Sequence, residues 1–174
     1  MNIARTFLKV VLSVIVILPL TAGPKNARAE TWSKEGLTIM LPSGYSRGTG
    51  RLADLFIGDD GTSFTLNVMA AEKSEPPEVA VKNLHDGAYL MTIPMFIHGQ
   101  TITSPTKEET LPDKSLLISV GGEQQLGGQQ RFGLFFLIIS PDGRGGLIMA
   151  YGPGSASGQM EKFRQMVVSA QWAN

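Results

Sequence analysis

The chain has 174 residues, of which 43% are hydrophobic and 17% charged, with 15 basic side chains, 15 acidic side chains and no cysteine. This length suffices to bury a hydrophobic core. The lack of cysteine excludes disulfides, thiol catalysis, iron–sulfur clusters and zinc–thiolate sites.

The first 29 residues have the pattern of a secretory signal peptide. Basic Arg5 and Lys9 precede a largely apolar run over 10–22, and the small-x-small sequence Ala-Arg-Ala follows at 27–29. Because the run is short for a membrane span, we expect cleavage after Ala29, with an uncleaved N-terminal anchor as the alternative. Cleavage predicts a periplasmic or secreted protein.

The mature chain, residues 30–174, is expected to form one α+β domain. The four basic residues of the signal peptide leave with it, so the mature chain carries 11 basic and 15 acidic side chains, a net charge of about −4. This balance argues against nucleic acid and anionic membrane surfaces as partners, because both require a concentrated basic face. We expect no stable membrane insertion after cleavage.

Alternating apolar residues predict strands in the first third of the mature chain, at 37–41, 52–57 and 63–70. Asp59-Asp60-Gly61 predicts the hairpin turn that joins the last two of these strands. Prolines and early acidic charge then predict a helix from about 77 to 91.

The second half of the chain reads as several strands followed by a helix. A polar stretch over 97–110 predicts an edge strand, and 116–120 a more buried one. The apolar run 132–139 predicts a strand covered on both faces. The residues at 141–144 predict a turn after it, followed by a strand over 146–151.

We expect the last helix to run from about Ser157 to Trp172. A single core is expected to contain Leu37, Ile39, Phe64, Leu66, Val68, Leu84, Phe135, Leu137, Phe163 and Val167.

Three short motifs resemble the Mog1/PsbP-like fold. They are Gly-Leu-Thr-Ile-Met-Leu-Pro-Ser-Gly-Tyr at 36–45, Leu-Gly-Gly at 126–128, and Phe-Arg-Gln-Met-Val-Val-Ser at 163–169. The resemblance implies an antiparallel β-sheet flanked by helices in an α-β-α sandwich. It also implies a non-enzymatic binding, assembly or chaperone module, although no functional residue of the group can be transferred.

Two motifs with catalytic or cofactor-binding precedents lie in the wrong context. Gly-Thr-Gly-Arg-Leu-Ala at 48–53 fits a dinucleotide-binding loop, but a turn precedes it and a strand follows, so we expect a hairpin loop. Ser-Pro-Thr-Lys at 104–107 fits a serine–lysine catalytic pair, which requires a helix rather than this polar, strand-like stretch.

The titratable residues give no strong metal or catalytic pattern. His85 and His98 are not at zinc-binding spacing, and we expect His85 to be a surface residue. Asp54, Asp59 and Asp60 could offer oxygen ligands to calcium, but they lack the spacing of a calcium-binding loop, so we expect a hairpin turn there. The carboxylates at 75, 78, 108 and 109 are expected to be solvated. We therefore predict no catalytic residue, metal or cofactor.

Two segments are candidate partner-binding surfaces. Pro94 is expected to end the first helix and leave Met95 and Phe96 on an exposed connection, although the connection folding back under the sheet is the alternative. The Gly-Gln segment is the second candidate, with a solvated hairpin as its alternative. Its predicted binding residues are Gln124, Gln125, Gln129 and Gln130.

The sequence thus favours a secreted, non-enzymatic protein-binding module of the accessory, chaperone or inhibitor type, with another envelope or secreted protein as its partner. A small-ligand-binding protein with a pocket between sheet and helices, and a small secreted hydrolase, are the alternatives. The oligomeric state is not predicted.

Overall fold

The computed structural model describes residues 30–50, 53–70 and 74–173; the predicted signal peptide and its cleavage site lie outside them. The strands are β1 (Glu30–Lys34), β2 (Leu37–Leu41), β3 (Tyr45–Gly48), β4 (Asp54–Gly58), β5 (Ser63–Met69), β6 (Thr101–Thr110), β7 (Leu116–Leu126), β8 (Gln129–Ile139), β9 (Gly145–Pro153) and β10 (Gln171–Trp172). The helices are α1 (Pro77–Gly87), a π-helical turn (Ala88–Thr92), α2 (Ile93–Ile97) and α3 (Ala156–Val168).

The strands form two antiparallel sheets. The main sheet has seven strands in the order β3-β4-β5-β9-β8-β7-β6, and the small sheet has the order β1-β2-β10. The expected antiparallel sheet flanked by helices is therefore confirmed. β6 lies at one edge of the main sheet, as predicted, with Pro105 in a strand that has a neighbour on one side alone.

The last helix is shorter than predicted. α3 ends at Val168, and Trp172 lies in β10, where it pairs with Leu37. Ser169 explains the helix end, because its hydroxyl donates to the carbonyl of Met166 at 2.6 Å and accepts from the backbone N–H of β2 residue Met40 at 3.0 Å. The chain is thus turned out of the helix and onto the small sheet.

β8 separates two hydrophobic cores. Its residues from Phe132 to Ile139 are all buried, which confirms the strand predicted to be covered on both faces. Because successive side chains of a strand point to opposite faces, Leu134 and Phe136 belong to one core, and Phe135 and Leu137 to the other.

The prediction of a single core is therefore wrong. The first core lies between the main sheet, the small sheet and α3, and the second lies under α1, the π-helical turn and α2. Of the residues predicted to pack together, Leu84, Phe135 and Leu137 belong to the second core. The other predicted members share the first core: Leu37, Ile39, Phe64, Leu66, Val68, Phe163 and Val167.

Candidate functional site

The first helical region continues past Pro94, so the prediction that this proline ends the helix is wrong. The chain passes from α1 through the π-helical turn into α2, where Pro94 lies in the first turn. The Ile93 N–H donates to the Ala88 carbonyl, five residues back. In a regular α-helix, a proline ring clashes with the carbonyl four residues before it. The wider π-helical turn lies directly before Pro94, where that clash would arise.

This continuation places the two apolar residues predicted for a loop on opposite sides of α2. Phe96 is buried, and its ring centroid lies 5.7 Å from those of both Phe135 and Tyr151. The expectation of an exposed Phe96 is therefore wrong, because the helix directs it into the second core. Met95 stays exposed, with 40% of its surface accessible.

An exposed apolar surface follows the outer side of the π-helical turn and α2. We call it the helical patch and define it as Leu90, Met91, Pro94 and Met95. Leu90 is 78% exposed, Pro94 and Met95 are also exposed, and Met91 is half-buried. Residues four apart on a helix are neighbours, so Leu90 lies next to Pro94 and Met91 next to Met95. Leu90 was not among the predicted binding residues, although it continues the four-residue spacing of Lys82 and Asp86 on the polar outer face of α1 and could be predicted to be exposed.

The Gly-Gln segment forms the end of the β7–β8 hairpin. Gly127 and Gly128 connect the two strands with φ values of 58° and 76°. Two consecutive positive φ values are typical of the tight turn that matches strand twist, and glycine adopts them without strain. The solvated hairpin considered for this segment is thus the structure it adopts.

The four predicted glutamines lie on this hairpin in cross-strand register. Gln125 faces Gln130, and Gln124 faces Arg131. Gln125, Gln129 and Gln130 are exposed, and Gln124 is half-buried. Gln124 and Gln129 therefore lie on one face of the hairpin and Gln125 and Gln130 on the other.

Glu123 fixes the base of the hairpin against α3. Its Oε1 accepts the backbone N–H of Ala156 at 2.8 Å and the Thr103 hydroxyl at 3.3 Å, while its Oε2 accepts the amide of Gln130. A carboxylate at a helix N-terminus satisfies a free N–H and interacts favourably with the helix dipole. Glu123 and Gln130 thus mark the side of the hairpin that faces α3.

His85, predicted as a surface residue, takes part in a partly exposed cluster between α1 and β6. Its Nε2 lies 3.1 Å from Oε1 of Glu108, which also accepts a hydrogen bond from the hydroxyl of Tyr89. The ring centroids of His85 and Tyr89 are 5.0 Å apart. Burial and the hydrogen bond to Glu108 raise the pKa of Tyr89 to about 12. The Tyr89 hydrogen bond, despite some burial, holds the pKa of Glu108 below its ordinary value. Both groups keep their usual protonation state at neutral pH, and the cluster ties α1 to the sheet edge.

The predicted solvation of the carboxylate at 109 is incomplete. Two nitrogens of Arg164 donate to Glu109, at 3.1 and 2.9 Å, and this hydrogen bonding lowers the pKa of Glu109. A general acid at neutral pH needs a raised pKa, which neither this carboxylate nor that of Glu108 has.

The other motifs lie in ordinary structural settings. Ser104 to Lys107 is part of the extended edge strand β6, and the 48–53 motif connects β3 to β4, with 51–52 outside the described residues. Asp54 pairs with Arg47 at 2.7 Å, and Asp60 pairs with Lys162 at 3.4 Å. Within 30–50, 53–70 and 74–173, no cluster of three metal-ligating side chains occurs. None of the helices in these ranges has the length and apolar character of a membrane span.

Comparison with known proteins identifies the fold through solved structures. No protein-family model and no curated protein matches the sequence. A crystal structure from Bacteroides thetaiotaomicron matches with a TM-score of 0.53 at 10% identity, over 84% of this chain and 49% of that one, so this chain spans about half its length. The cyanobacterial PsbP protein CyanoP from Synechocystis matches with a TM-score of 0.52 at 11% identity, over 90% and 99% of the two chains.

The Ran-binding protein Mog1p of Saccharomyces cerevisiae is also similar, with a TM-score of 0.46 at 10% identity over 84% of this chain and 96% of that one. The likeness to CyanoP extends over nearly the whole of both chains and includes the antiparallel sheet and its flanking helices. This chain therefore has the Mog1/PsbP-like fold.

Proposed function

We propose that the protein is a secreted or periplasmic, non-enzymatic module that binds another envelope or secreted protein through the helical patch. The observation that carries this proposal is the position of Leu90, a large apolar side chain that is 78% exposed. Contiguous exposed apolar surface on a soluble protein is typical of a protein-interaction site.

The helical patch is held on a rigid support. Ala88, Thr92 and Ile93 alternate with the patch residues along the same helical segment and are buried. A partner would therefore bind a preformed surface, which lowers the entropy lost on association. Full burial of a Leu or Met side chain contributes about 1.5–3 kcal/mol, so Leu90 and Met95 would act as apolar anchors within a larger interface.

Among the sequence-predicted binding residues, Met95 fits this proposal and Phe96 does not, because Phe96 is part of the second core. The hairpin glutamines form a second proposed contact region, with Gln124 and Gln129 on one face and Gln125 and Gln130 on the other. Their amides can hydrogen-bond to the backbone of a partner.

The non-enzymatic part of the proposal is supported by the surroundings of His85. In the part of the chain that the structure describes, its hydrogen-bond partners are the carboxylates of Asp86 and Glu108. A hydrolase of the serine or threonine type instead requires a base within hydrogen-bond reach of a hydroxyl nucleophile.

Export is the part of the proposal carried by the basic, apolar and Ala-x-Ala segments of the first 29 residues. The mass of the protein recovered from its native cells tests it. A mature chain that begins at Glu30 is expected, and an intact chain that begins at Met1 in the membrane fraction would reject it.

Site-specific photocross-linking tests the protein-binding role. A benzophenone amino acid placed at position 90 in the native cells should give an adduct of defined mass after illumination. The matched control is Val168, another exposed apolar helical residue, 40% accessible and on α3. No adduct at Leu90, or the same adducts at both positions, would contradict the role of the helical patch.

A further inference from the structure

Arg131 is distinguished from the other arginines by its lack of a partner. The structure describes four arginines, and three of them make ion pairs: Arg47 with Asp54 at 2.7 Å, Arg144 with Asp142 at 2.8 Å, and Arg164 with Glu109 at 2.9 Å. Within the described ranges, Arg131 makes neither an ion pair nor a hydrogen bond through its side chain, although it is half-buried.

The partial burial of Arg131 gives this observation its weight. Its Nε is inaccessible to solvent and has no acceptor. A polar group removed from water without a hydrogen bond is costly, and a charged group more so. Buried polar groups without a partner are rare in native proteins, and a bound ligand is one way in which such a group is satisfied.

The surroundings of Arg131 are neutral. Gln124 lies opposite it on β7, and Gln129 lies two residues before it on the same face of β8. The nearby carboxylate of Glu123 is on the other face, where it accepts hydrogen bonds from Ala156 and Gln130. The guanidinium thus stands beside amide groups, with the adjacent carboxylate already used.

Gln100 forms the inner wall of this surface. Its carboxamide lies over Gly122 and Gly133, where a Cβ atom would come within 2.9 and 2.8 Å of its Oε1. Its Nε2 donates to the Phe96 carbonyl at 2.6 Å, whereas its Oε1 is buried without a hydrogen-bond partner among the described residues. Gly133 is two residues from Arg131 on the same face of β8, so the Gln100 amide lies on the same face of the sheet as Arg131.

We propose that Arg131, with Gln124 and Gln129, binds a carboxylate. The guanidinium offers two parallel N–H donors that match the two oxygens of a carboxylate, and the glutamine amides offer further donors. This inference rests on the proposed protein-binding function, since an acidic side chain or a chain terminus of the partner would supply the carboxylate. A free small carboxylate has the same chemistry and is distinguished by the test.

The test is a titration of the ¹⁵N-labelled mature protein followed by NMR, including the Nε–Hε resonance of Arg131. The probes are succinate, a capped tetraglutamate peptide and a matched tetraglutamine peptide, all at constant ionic strength. A saturable shift with tetraglutamate but not tetraglutamine is expected. A response to succinate as well would show that a free carboxylate suffices, and a response to the peptide alone would assign the carboxylate to a partner chain.

Three variants complete the test. Arg131→Gln should abolish the saturable shift, and Arg131→Lys should weaken binding about tenfold, because a point charge replaces the two-pronged donor. Lys114→Gln is the matched control, since Lys114 is an exposed lysine that makes no ion pair in the described ranges. Unchanged binding in folded Arg131→Gln or Arg131→Lys protein, or no saturable shift with any carboxylate, would overturn the proposal.

The two proposals fail in different ways. Cross-linking at Leu90 does not involve Arg131, so its failure alongside saturable succinate binding would reject the protein-binding role and keep a small-carboxylate site. A cross-link at Leu90 without any carboxylate response at Arg131 would reject the carboxylate site alone.

Discussion

Truncation of Phe163 to alanine is expected to remove a large part of the stability of the domain. Phe163 is completely buried on α3, and its ring centroid lies 5.6 Å from Phe64, 6.3 Å from Tyr45 and 6.4 Å from Phe132. The side chain therefore joins α3 to both halves of the main sheet. Its removal would leave a cavity bordered by three aromatic rings.

The size of the effect follows from the buried volume and these ring contacts. A buried Phe→Ala change costs about 3–5 kcal/mol, and the aromatic contacts of Phe163 favour the upper half of that range. Domains of this kind are stable by about 5–15 kcal/mol in total. With a denaturant slope of about 2 kcal/mol per molar urea, a loss of about 4 kcal/mol lowers the unfolding midpoint by about 2 M.

Urea unfolding followed by circular dichroism measures this shift. Val168→Ala is the matched control, because Val168 lies on the same helix and is 40% exposed. Its midpoint should stay within about 0.3 M of the wild-type value, since surface substitutions usually change stability by less than 0.5 kcal/mol. A Phe163→Ala midpoint within about 0.5 M of the wild type, with an unchanged slope, would refute the packing of α3 described above.

Three further predictions concern other parts of the fold. Phe96→Ser should lower the unfolding midpoint strongly and Met95→Ser only slightly, because Phe96 is 6% exposed and Met95 is 40% exposed; equal effects would contradict the helical continuation. The pKa of Glu109 lies below its ordinary value of 4.5 because Arg164 hydrogen-bonds to the carboxylate. The Glu109 carboxylate therefore stabilises the fold fully above pH 4.5, and this contribution is lost as the pH falls through the lowered pKa. The Glu109→Gln variant should therefore lose less stability than the wild type in urea unfolding between about pH 6 and about pH 3; parallel losses would contradict this. Gly143→Ala should destabilise more than Gly154→Ala in thermal unfolding, because both glycines have positive φ but a Cβ at 143 would lie 2.4 Å from an α1 side chain, whereas one at 154 meets nothing within 4 Å; equal melting temperatures would contradict that close approach.

Several elements could be predicted from the sequence because their signals are local. The alternation in β5, the apolar run of β8 and the turn chemistry at Gly127 and Gly128 each depend on a few consecutive residues, and the structure contains all three. β3 was missed because Tyr45–Gly48 has no apolar alternation, and its pairing with β4 defines it as a strand. Short edge strands of this kind are specified by their neighbours rather than by their own sequence.

Tertiary structure decided which of the candidate surface residues are exposed and which are buried. Pro94 normally ends a helix, but the π-helical turn before it and the burial of Phe96 in the second core carry the helix onward and leave Leu90 exposed. Likewise, Glu123 on the opposite face of the hairpin from Arg131 is bonded to Ala156 of α3, more than 30 residues away in sequence. Sequence periodicity determines which residues can share a face, whereas long-range packing determines whether that face is covered, because burial depends on elements distant along the chain.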